Sequence, residues 1–302
     1  MAWGLEIATD RLRLCRASLR RGRIRIDRML EMPLASGLVR PSVKETGLAD
    51  GPALTAVLNE LGQQAGCRGW VRVALPDPLF ILRVIATDAV PEDREEARRF
   101  LCWQARDLIP FPADQARLDY QILGPGPDGR LRTSCLVVRD RLLREYEQAL
   151  RNAGLQAGVL DARSVAFAQA ALAGIAARTV GLLTADGERA TLLLVRDGRP
   201  QLWRILAVDG ESAGNGTRLV REVADSLAFF REAEGLQTVD HLFVQGLGNH
   251  TASIASGLAE WLDIATSVLD LTDAVASAVQ PNDPAGDPSH WGAALGAAIR
   301  PW

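Results

Sequence analysis

The amino-acid sequence predicts an α/β protein with two related halves and a small α+β subdomain inserted into the first half. Each half begins with three short strands in succession and then alternates helix with strand. The segment in between follows a different order (strand, helix, two strands, helix), which indicates a separate subdomain. With 302 residues, of which 48% are hydrophobic and 24% charged, the chain can bury the cores that two lobes require.

The first half opens with strands in which basic and apolar residues alternate. Arg11 to Leu14 and Arg23 to Ile26 both show a period of two, which indicates one buried and one solvated face. Arg21-Gly22 is the expected hairpin turn, and Pro52 favours the start of a helix. The predicted elements are the strands Gly4–Ala8, Leu12–Leu19 and Arg23–Met29, the helix Pro52–Ala65 and the strand Trp70–Leu75.

The inserted subdomain is predicted from its turn residues and its change of pattern. The glycine- and proline-rich run from Gly124 to Gly129 indicates a hairpin, and Gly154 favours a left-handed end to the last helix. The predicted elements are the strand Phe80–Ala86, the helix Pro91–Leu108, the strands Asp119–Leu123 and Leu131–Val138, and the helix Arg139–Asn152.

The second half repeats the three-strand opening, with Asp197-Gly198 as the expected hairpin turn. We predict a first lobe of residues 1–76 and 155–176, an insertion of residues 77–154 and a second lobe of residues 177–302. The remaining predicted elements are the strand Val159–Asp161, the helix Ser164–Gly174, the strands Val180–Ala185, Ala190–Arg196 and Pro200–Val208, the helix Thr217–Ala233, the strand Val239–Gln245, the helix Thr251–Leu262, the strand Ala265–Val268 and the helix Trp291–Ile299.

Charge and composition argue against several classes of function. A formal net charge of −3 disfavours nucleic-acid binding, and Lys44 is the only lysine, which disfavours a P-loop. The cysteines and histidines lack metal-ligand spacing, so we expect no metal site and reduced thiols. No signal peptide and no apolar stretch of about 18 residues occur, so we expect a soluble cytoplasmic protein. These cysteines and histidines are Cys15, Cys67, Cys102, Cys135, His241, His250 and His290.

Several short motifs occur in order along the chain. The segment Trp103-x-Ala105-x-x-x-Ile109-Pro110-Phe111-Pro112 is followed by Leu118-Asp119-Tyr120-Gln121, and Val73 to Pro76 precede it. Val195 to Pro200, Ser226-Leu227-x-Phe229-Phe230 and the helix and turn before Gly246 come later. In this order the motifs resemble the PilM family of type IV pilus assembly proteins. The resemblance extends over nearly the whole chain and implies the actin-like fold shared with FtsA. That fold has two lobes around a nucleotide cleft, and in this family one subdomain is replaced by the insertion.

The resemblance also implies a partner and a location. We expect a scaffold at the cytoplasmic face of the inner membrane that binds the short cytoplasmic tail of a PilN-like membrane protein and contacts other platform proteins. The tail would lie between the first lobe and the insertion, held by backbone pairing or apolar pockets. An alternative is the cytoplasmic domain of a GspL-type protein of type II secretion. The residues expected to contact the partner are Leu75, Pro76, Trp103, Ile109, Pro110 and Phe111.

The first nucleotide-binding hairpin departs from the pattern that the resemblance implies. Actin-like proteins hold ATP with glycine-containing hairpins and with carboxylates that position hydrated Mg²⁺. Glu6 keeps a carboxylate here, but Ala8 replaces the turn glycine, and Thr9 and Asp10 follow. We expect Asp10 to repel phosphate, since like charges about 4 Å apart cost about 1 kcal/mol in water and roughly 4 kcal/mol at an intermediate dielectric.

The second lobe shows further departures. Thr184 stands where an aspartate is expected and Asp186 where a glycine is expected, although Gly187 restores a glycine one position later. In the adenosine turn, Gly246-Leu247-Gly248, the leucine is expected to point toward the base. A helix also follows the third strand within a few residues, where the family has a further subdomain. We therefore predict a pseudo-ATPase without a cofactor; the alternative is a nucleotide-switched ATPase that binds MgATP.

Two surface features allow two interpretations each. Trp103 either packs at the flank of its helix or anchors a partner. The arginines of the first strands form either a solvated sheet face or a surface attracted to anionic lipid. These arginines are Arg11, Arg13, Arg16, Arg20, Arg21, Arg23, Arg25 and Arg28.

Overall fold

The computed structural model describes residues 1–44, 47–173, 175, 178–208, 215–234, 238–275 and 287–300. The chain divides into two compact units. The first contains Met1–Leu79, Arg141–Ala176 and Leu269–Trp302, and the second contains Phe80–Asp140 and Ala177–Val268. Within the described ranges, no helix is long and apolar enough to cross a membrane.

The described strands and helices follow the predicted order. The strands are β1 (Ala2–Ile7), β2 (Arg11–Arg20), β3 (Arg23–Pro33), β4 (Gly69–Leu75), β5 (Phe80–Thr87), β6 (Ala116–Pro125), β7 (Leu131–Arg139), β8 (Leu155–Ala162), β9 (Thr179–Asp186), β10 (Arg189–Arg196), β11 (Arg199–Ala207), β12 (His241–Gln245) and β13 (Thr266–Val268). The α-helices are α1 (Gly51–Ala65), α2 (Arg94–Gln104), α3 (Asp140–Asn152), α4 (Arg163–Ala171), α5 (Asn215–Glu234), α6 (Thr251–Leu262) and α7 (Gly292–Ile299).

The turn chemistry read from the sequence is confirmed, whereas some helix ends are not. Arg21-Gly22 and Asp197-Gly198 adopt positive φ at both positions, as tight hairpin turns require. Helix α2 is shorter than predicted, because Asp93 caps its first turn by accepting a hydrogen bond from the Glu96 amide at 2.8 Å. The predicted helix end at Gly174 lies outside the described residues.

The first unit is built on a five-stranded sheet of order β3-β2-β1-β4-β8. Strands β1, β2 and β3 are antiparallel, and β1, β4 and β8 run parallel. The alternating arginine-leucine sequence of β2 buries Leu12 and Leu14 completely, as its period of two predicts. Arg13 between them is buried too, so the prediction of a solvated or lipid-facing position is wrong for this arginine. Helix α1 contacts β2 and β3, and α7 contacts β1, β2 and β4.

The last helix belongs to the first unit, which corrects the prediction that residues 177–302 form one lobe. Helix α7 consists mainly of buried alanine and glycine, so it approaches the sheet and α4 closely. A Cβ atom at Gly4 or Gly296 would overlap the carbonyl oxygen of Ala294 or Ala166, respectively. Arg72 completes the packing by donating a hydrogen bond from Nη1 to the carbonyl of Ala298 at 2.7 Å.

Helix α3 also belongs to the first unit from Arg141 onward and not to the insertion. Its apolar side is buried there, and the Tyr146 hydroxyl donates to the carbonyl of Gly47 at 3.2 Å. Burial raises the pKa of the Tyr146 hydroxyl, which therefore stays protonated. The insertion therefore ends at Asp140, the first residue of α3, and not at the predicted boundary of residue 154.

The second unit repeats the strand order of the first. Its sheet has the order β11-β10-β9-β12-β13, with β9 to β11 antiparallel and β12 and β13 parallel to β9. This match confirms the predicted internal duplication. Helices α5 and α6 pack together and supply apolar side chains to one core, among them Val223, Leu227 and Leu258.

The insertion forms a three-stranded antiparallel sheet of order β5-β7-β6, with α2 against β6. This sheet contacts β11 of the second unit, and Arg199 donates from Nη1 to the carbonyl of Ile122 at 2.8 Å. The insertion therefore groups with the second sheet, although the sequence places it within the first half.

Candidate functional site

The Glu6 carboxylate, which the resemblance assigns to hydrated Mg²⁺, is fully buried between two arginines. The register of β1 and β2 places Glu6 opposite Arg13, whose Nη1 lies 3.5 Å from Oε2. Arg163, the first residue of α4, donates from Nε to the other oxygen, Oε1, at 2.7 Å. We call Glu6, Arg13 and Arg163 the arginine clamp. Each carboxylate oxygen is thus held by a guanidinium group.

Arg163 was not predicted as a site residue. Its only sequence signal is a charged residue placed directly before the small, apolar stretch that becomes α4. The contact joins residues 157 positions apart, so no local pattern could reveal it.

The ion pairs continue from the clamp to the sheet edge. Arg13 also donates from Nε to Glu31 at 2.6 Å, and Arg11 pairs with both Glu31 at 3.2 Å and Asp10 at 2.6 Å. The Arg11 guanidinium lowers the pKa of the Asp10 carboxyl. Because Arg11 compensates the Asp10 charge, the predicted repulsion of phosphate is weaker than an isolated carboxylate would give. That part of the prediction is corrected.

The turn between β1 and β2 contains no residue in the left-handed region. The Ala8 amide donates to the carbonyl of Arg11 at 3.0 Å and closes the turn, and its methyl group is buried. Thr9 is half-buried beside it. An alanine in this conformation needs no glycine, so the turn is stable without the backbone freedom that the family pattern provides.

The corresponding turn of the second unit keeps its glycine. Gly187 follows β9 with a φ of 59°, and Asp186 ends the strand. Thr184 lies two residues earlier and is buried, and its hydroxyl has no hydrogen-bond partner in the part of the chain that the structure describes. A small, buried, unsatisfied hydroxyl is unusual in a packed sheet.

The turn after β12 is also preserved in its backbone. Gly246 has a φ of 86°, and a Cβ atom there would lie 2.8 Å from the carbonyl oxygen of Ala185. The following Gly248 also has a positive φ. The expectation for Leu247 is wrong: its side chain is buried in the second unit's core and does not face outward toward a base. An apolar residue after a strand gains more from that core than from solvent.

The fit to a magnesium nucleotide therefore differs between the units. In the first unit, both oxygens of the Glu6 carboxylate are bonded to arginines and buried away from solvent. A carboxylate in this state is incompatible with ordering the water shell of a cation. In the second unit the glycine backbone is compatible with close approach of a ligand. Among the described residues, no group of three histidine, cysteine, aspartate or glutamate side chains could hold a metal ion.

Most of the predicted partner-contacting residues are not at the surface. Leu75 and Pro76 are buried in the first unit, and Ile109 and Phe111 are buried in the insertion. They can shape a neighbouring surface, but they cannot contact a partner directly in this conformation. The sequence could not show this, because buried and interface residues share the same apolar character.

Trp103 and Pro110 are the exposed members of the predicted set. The Trp103 side chain is 57% exposed, which contradicts packing at the helix flank. Arg106 lies over its indole ring at 4.1 Å from the ring centre, and Arg106 also donates from Nη1 to the Trp103 carbonyl at 3.0 Å. Leu108, the last residue of the predicted helix Pro91–Leu108, lies beyond the end of α2 at Gln104 and is exposed.

The comparisons with known proteins identify a family. The model of type IV pilus assembly protein PilM matches residues 4–198. A solved PilM–PilN type IV pilus biogenesis complex contains a chain that is 25% identical and superposes with a TM-score of 0.78 over 99% of both chains. No curated protein sequence matches the chain.

One further solved structure shares the fold, and another is less similar. A Bacteroides thetaiotaomicron protein of actin-like ATPase fold and unknown function is 10% identical, with a TM-score of 0.50 over 96% of this chain and 94% of its own. The cytoplasmic domain of EpsL, an inner-membrane component of the Vibrio cholerae type II secretion system, is 11% identical, with a TM-score of 0.46 over 79% of both chains. The fold is actin-like, as the sequence predicts.

Proposed function

This chain belongs to the PilM family of type IV pilus assembly proteins, and from that membership we propose that it is a non-catalytic scaffold of a pilus or secretion platform. It binds the short cytoplasmic tail of a PilN-like membrane protein and sits at the cytoplasmic face of the inner membrane. The solved relative that superposes over the whole chain is a complex of PilM with PilN, which supports this choice of partner.

The arginine clamp carries the non-catalytic part of the proposal. A carboxylate that positions hydrated Mg²⁺ has to face solvent and the ligand, whereas Glu6 is 0% exposed and bonded through both oxygens. Releasing it would break the buried 2.7 Å bond between Glu6 and Arg163, at a cost of about 3–5 kcal/mol. The clamp therefore favours a first unit whose conformation does not depend on nucleotide.

Trp103 is the side chain best suited to anchor the partner. Tryptophan and arginine are the residue types most often found at energetic centres of interfaces. Arg106 restricts the motion of the indole ring by lying over it and by bonding to the same residue's carbonyl. A ring that is already ordered loses less conformational entropy when a partner covers it.

A nucleotide-switched ATPase is the second candidate, and one observation favours it. Gly187 and Gly246 keep the left-handed backbone that permits close approach of a ligand, and on β9 the Thr184 hydroxyl has no partner among the described residues. These features leave a nucleotide half-site possible in the second unit without a metal carboxylate from the first.

Thermal unfolding with MgATP and MgADP separates the two candidates. The scaffold predicts no change in the unfolding midpoint at millimolar nucleotide. A saturable, magnesium-dependent shift would favour the ATPase, since a ligand at 100 times its Kd stabilises the folded state by about 2.7 kcal/mol.

The partner is tested separately by co-expression with the PilN-like protein of the same organism and with a version that lacks its cytoplasmic tail. Equal recovery of both versions would reject tail binding.

A further inference from the structure

The tip of the β2–β3 hairpin concentrates positive charge in a chain that is acidic overall. Arg20, Arg21, Arg23 and Arg25 are all exposed there, and we call these four residues the basic tip. The chain as a whole carries a net charge of −3. Four arginines within six positions thus form a local field of the opposite sign to the rest of the molecule.

The strand register makes this arrangement costly for folding. Arg20 is directly opposite Arg23, and further along the same hairpin Arg16 is opposite Arg28. Like charges in directly opposed positions destabilise a β-hairpin. Arg21, in addition, adopts a φ of 50°. Neutral polar residues at these positions would avoid the repulsion and give a more stable hairpin.

The described acidic side chains do not neutralise the basic tip. Among the described residues, no carboxylate lies within ion-pair distance of Arg20, Arg21, Arg23 or Arg25. The nearest acidic residue in the same strand, Asp27, pairs with Arg16 at 3.5 Å. Arg23 donates to the backbone carbonyl of Asp273 at 3.2 Å, which fixes its position without cancelling its charge. This pattern differs from that of a solvated face, on which both signs are usually mixed.

An apolar side chain stands next to the charges. Leu19 directly precedes the basic tip and is 47% exposed. A leucine beside arginines gains nothing from the phosphate backbone of a nucleic acid. It does gain from the boundary between lipid headgroups and acyl chains.

We propose that the basic tip binds the surface of an anionic phospholipid membrane. Guanidinium groups donate paired hydrogen bonds to lipid phosphates, and Leu19 enters the headgroup layer. Salt screens charges beyond about 8–10 Å, so exposed arginines at the end of a hairpin can act on a membrane that they touch. Lipid binding requires neither the PilN-like tail nor nucleotide, so it goes beyond the proposed function.

Vesicle co-sedimentation with the full chain tests this assignment. We expect binding to vesicles of phosphatidylglycerol mixed with phosphatidylethanolamine, a decrease as salt is added, and no binding to phosphatidylcholine alone. The variant Arg21→Gln/Arg25→Gln should lower the partition coefficient about 30-fold, since each basic residue near the surface contributes about fivefold. Arg21→Lys/Arg25→Lys should retain most of the binding.

A matched control removes the same charge elsewhere. Arg221 and Arg231 are exposed on α5 in the second unit, so Arg221→Gln/Arg231→Gln gives the same net charge. It should bind vesicles as the unchanged chain does. Equal losses in both double variants, equal binding to neutral vesicles, or no binding to anionic vesicles at low salt would overturn the proposal. Tighter binding of single-stranded DNA than of vesicles would reassign the surface to nucleic acid. None of these outcomes bears on the co-expression test.

Discussion

Arg163 places its Nε 2.7 Å from Oε1 of Glu6 and so joins the first turn of α4 to the central strand region of the first sheet. Arg13 holds the other oxygen from the neighbouring strand. A carboxylate that the family resemblance assigns to a cation is thus bound by the protein's own cationic side chains. Burial makes this bond strong and also makes it costly to break.

We predict that Arg163→Leu lowers the free energy of unfolding by about 3–5 kcal/mol, because it leaves the buried Glu6 charge with only the longer contact to Arg13. Urea unfolding measures this change. The double variant Glu6→Leu/Arg163→Leu should be more stable than the single one, since an apolar pair can replace a buried ion pair. A single variant as stable as the unchanged chain would show that the clamp contributes little.

Helix α7 should tolerate no side chain at Gly296. A Cβ atom there overlaps the carbonyl of Ala166 in α4, and backbone cannot move aside as a flexible side chain can. We expect Gly296→Ala to lower the unfolding free energy by about 3 kcal/mol or more, at the upper end of overpacking costs. Gly51→Ala is the control, because nothing lies within 4 Å of its added Cβ atom. A Gly296→Ala midpoint equal to that of the control would contradict this packing.

Trp103→Ala should weaken binding to the PilN-like tail about 30-fold or more, as expected for truncation of an anchoring tryptophan. Isothermal calorimetry with a synthetic tail peptide measures the affinity. The unfolding midpoint should change little, since the ring is mostly exposed. Trp70→Ala is the matched control, because Trp70 is also exposed (61%) but lies on β4 in the first unit. Equal losses from both substitutions, or none from Trp103→Ala, would remove Trp103 as the anchor.

His241 should make stability depend on pH in mildly acidic solution. Partial burial lowers its pKa below the ordinary value of 6.5, and Nε2 lies 2.8 Å from the Ser267 hydroxyl on the adjacent strand. The unfolded chain therefore takes up a proton more readily than the folded one. The stabilisation from neutral His241 is complete above pH 6.5 and is lost as the pH falls from there to the lower folded pKa.

The measurement compares the unchanged chain with His241→Gln across this range. The stability difference between them should shrink, in favour of the variant, as the solution is acidified below pH 6.5. A difference that stays constant between neutral and acidic solution would mean that the folded and unfolded states bind this proton equally.

Local sequence signals were sufficient for most elements. Gly22 and Asp197-Gly198 accept the positive φ that tight hairpin turns need, and the alternating strands follow from a period of two. Element ends were less accurate: after the Asp93 cap, α2 begins at Arg94, three residues later than predicted. The prediction that α7 belongs to the second lobe was wrong, because its small residues could pack against either sheet and the sequence does not distinguish the two.

Side-chain direction was the weakest part of the site prediction. Leu247 follows a glycine in a turn and enters the core, and Leu75 is buried although its motif is shared with a family that binds a partner. Each position has an apolar side chain that could serve a core or an interface equally well. Only the surrounding elements decide between these uses.

The sequence by itself determined the duplicated α/β architecture, the insertion and the family, because periodicity, turn residues and ordered motifs are local properties of the chain. The tertiary structure decided which charges meet. Glu6, Arg13 and Arg163 come from three distant segments, and their pairing depends on strand register and on where α4 begins. Register and helix docking are set by burial of the whole core, a sum over many weak contacts that no single motif encodes.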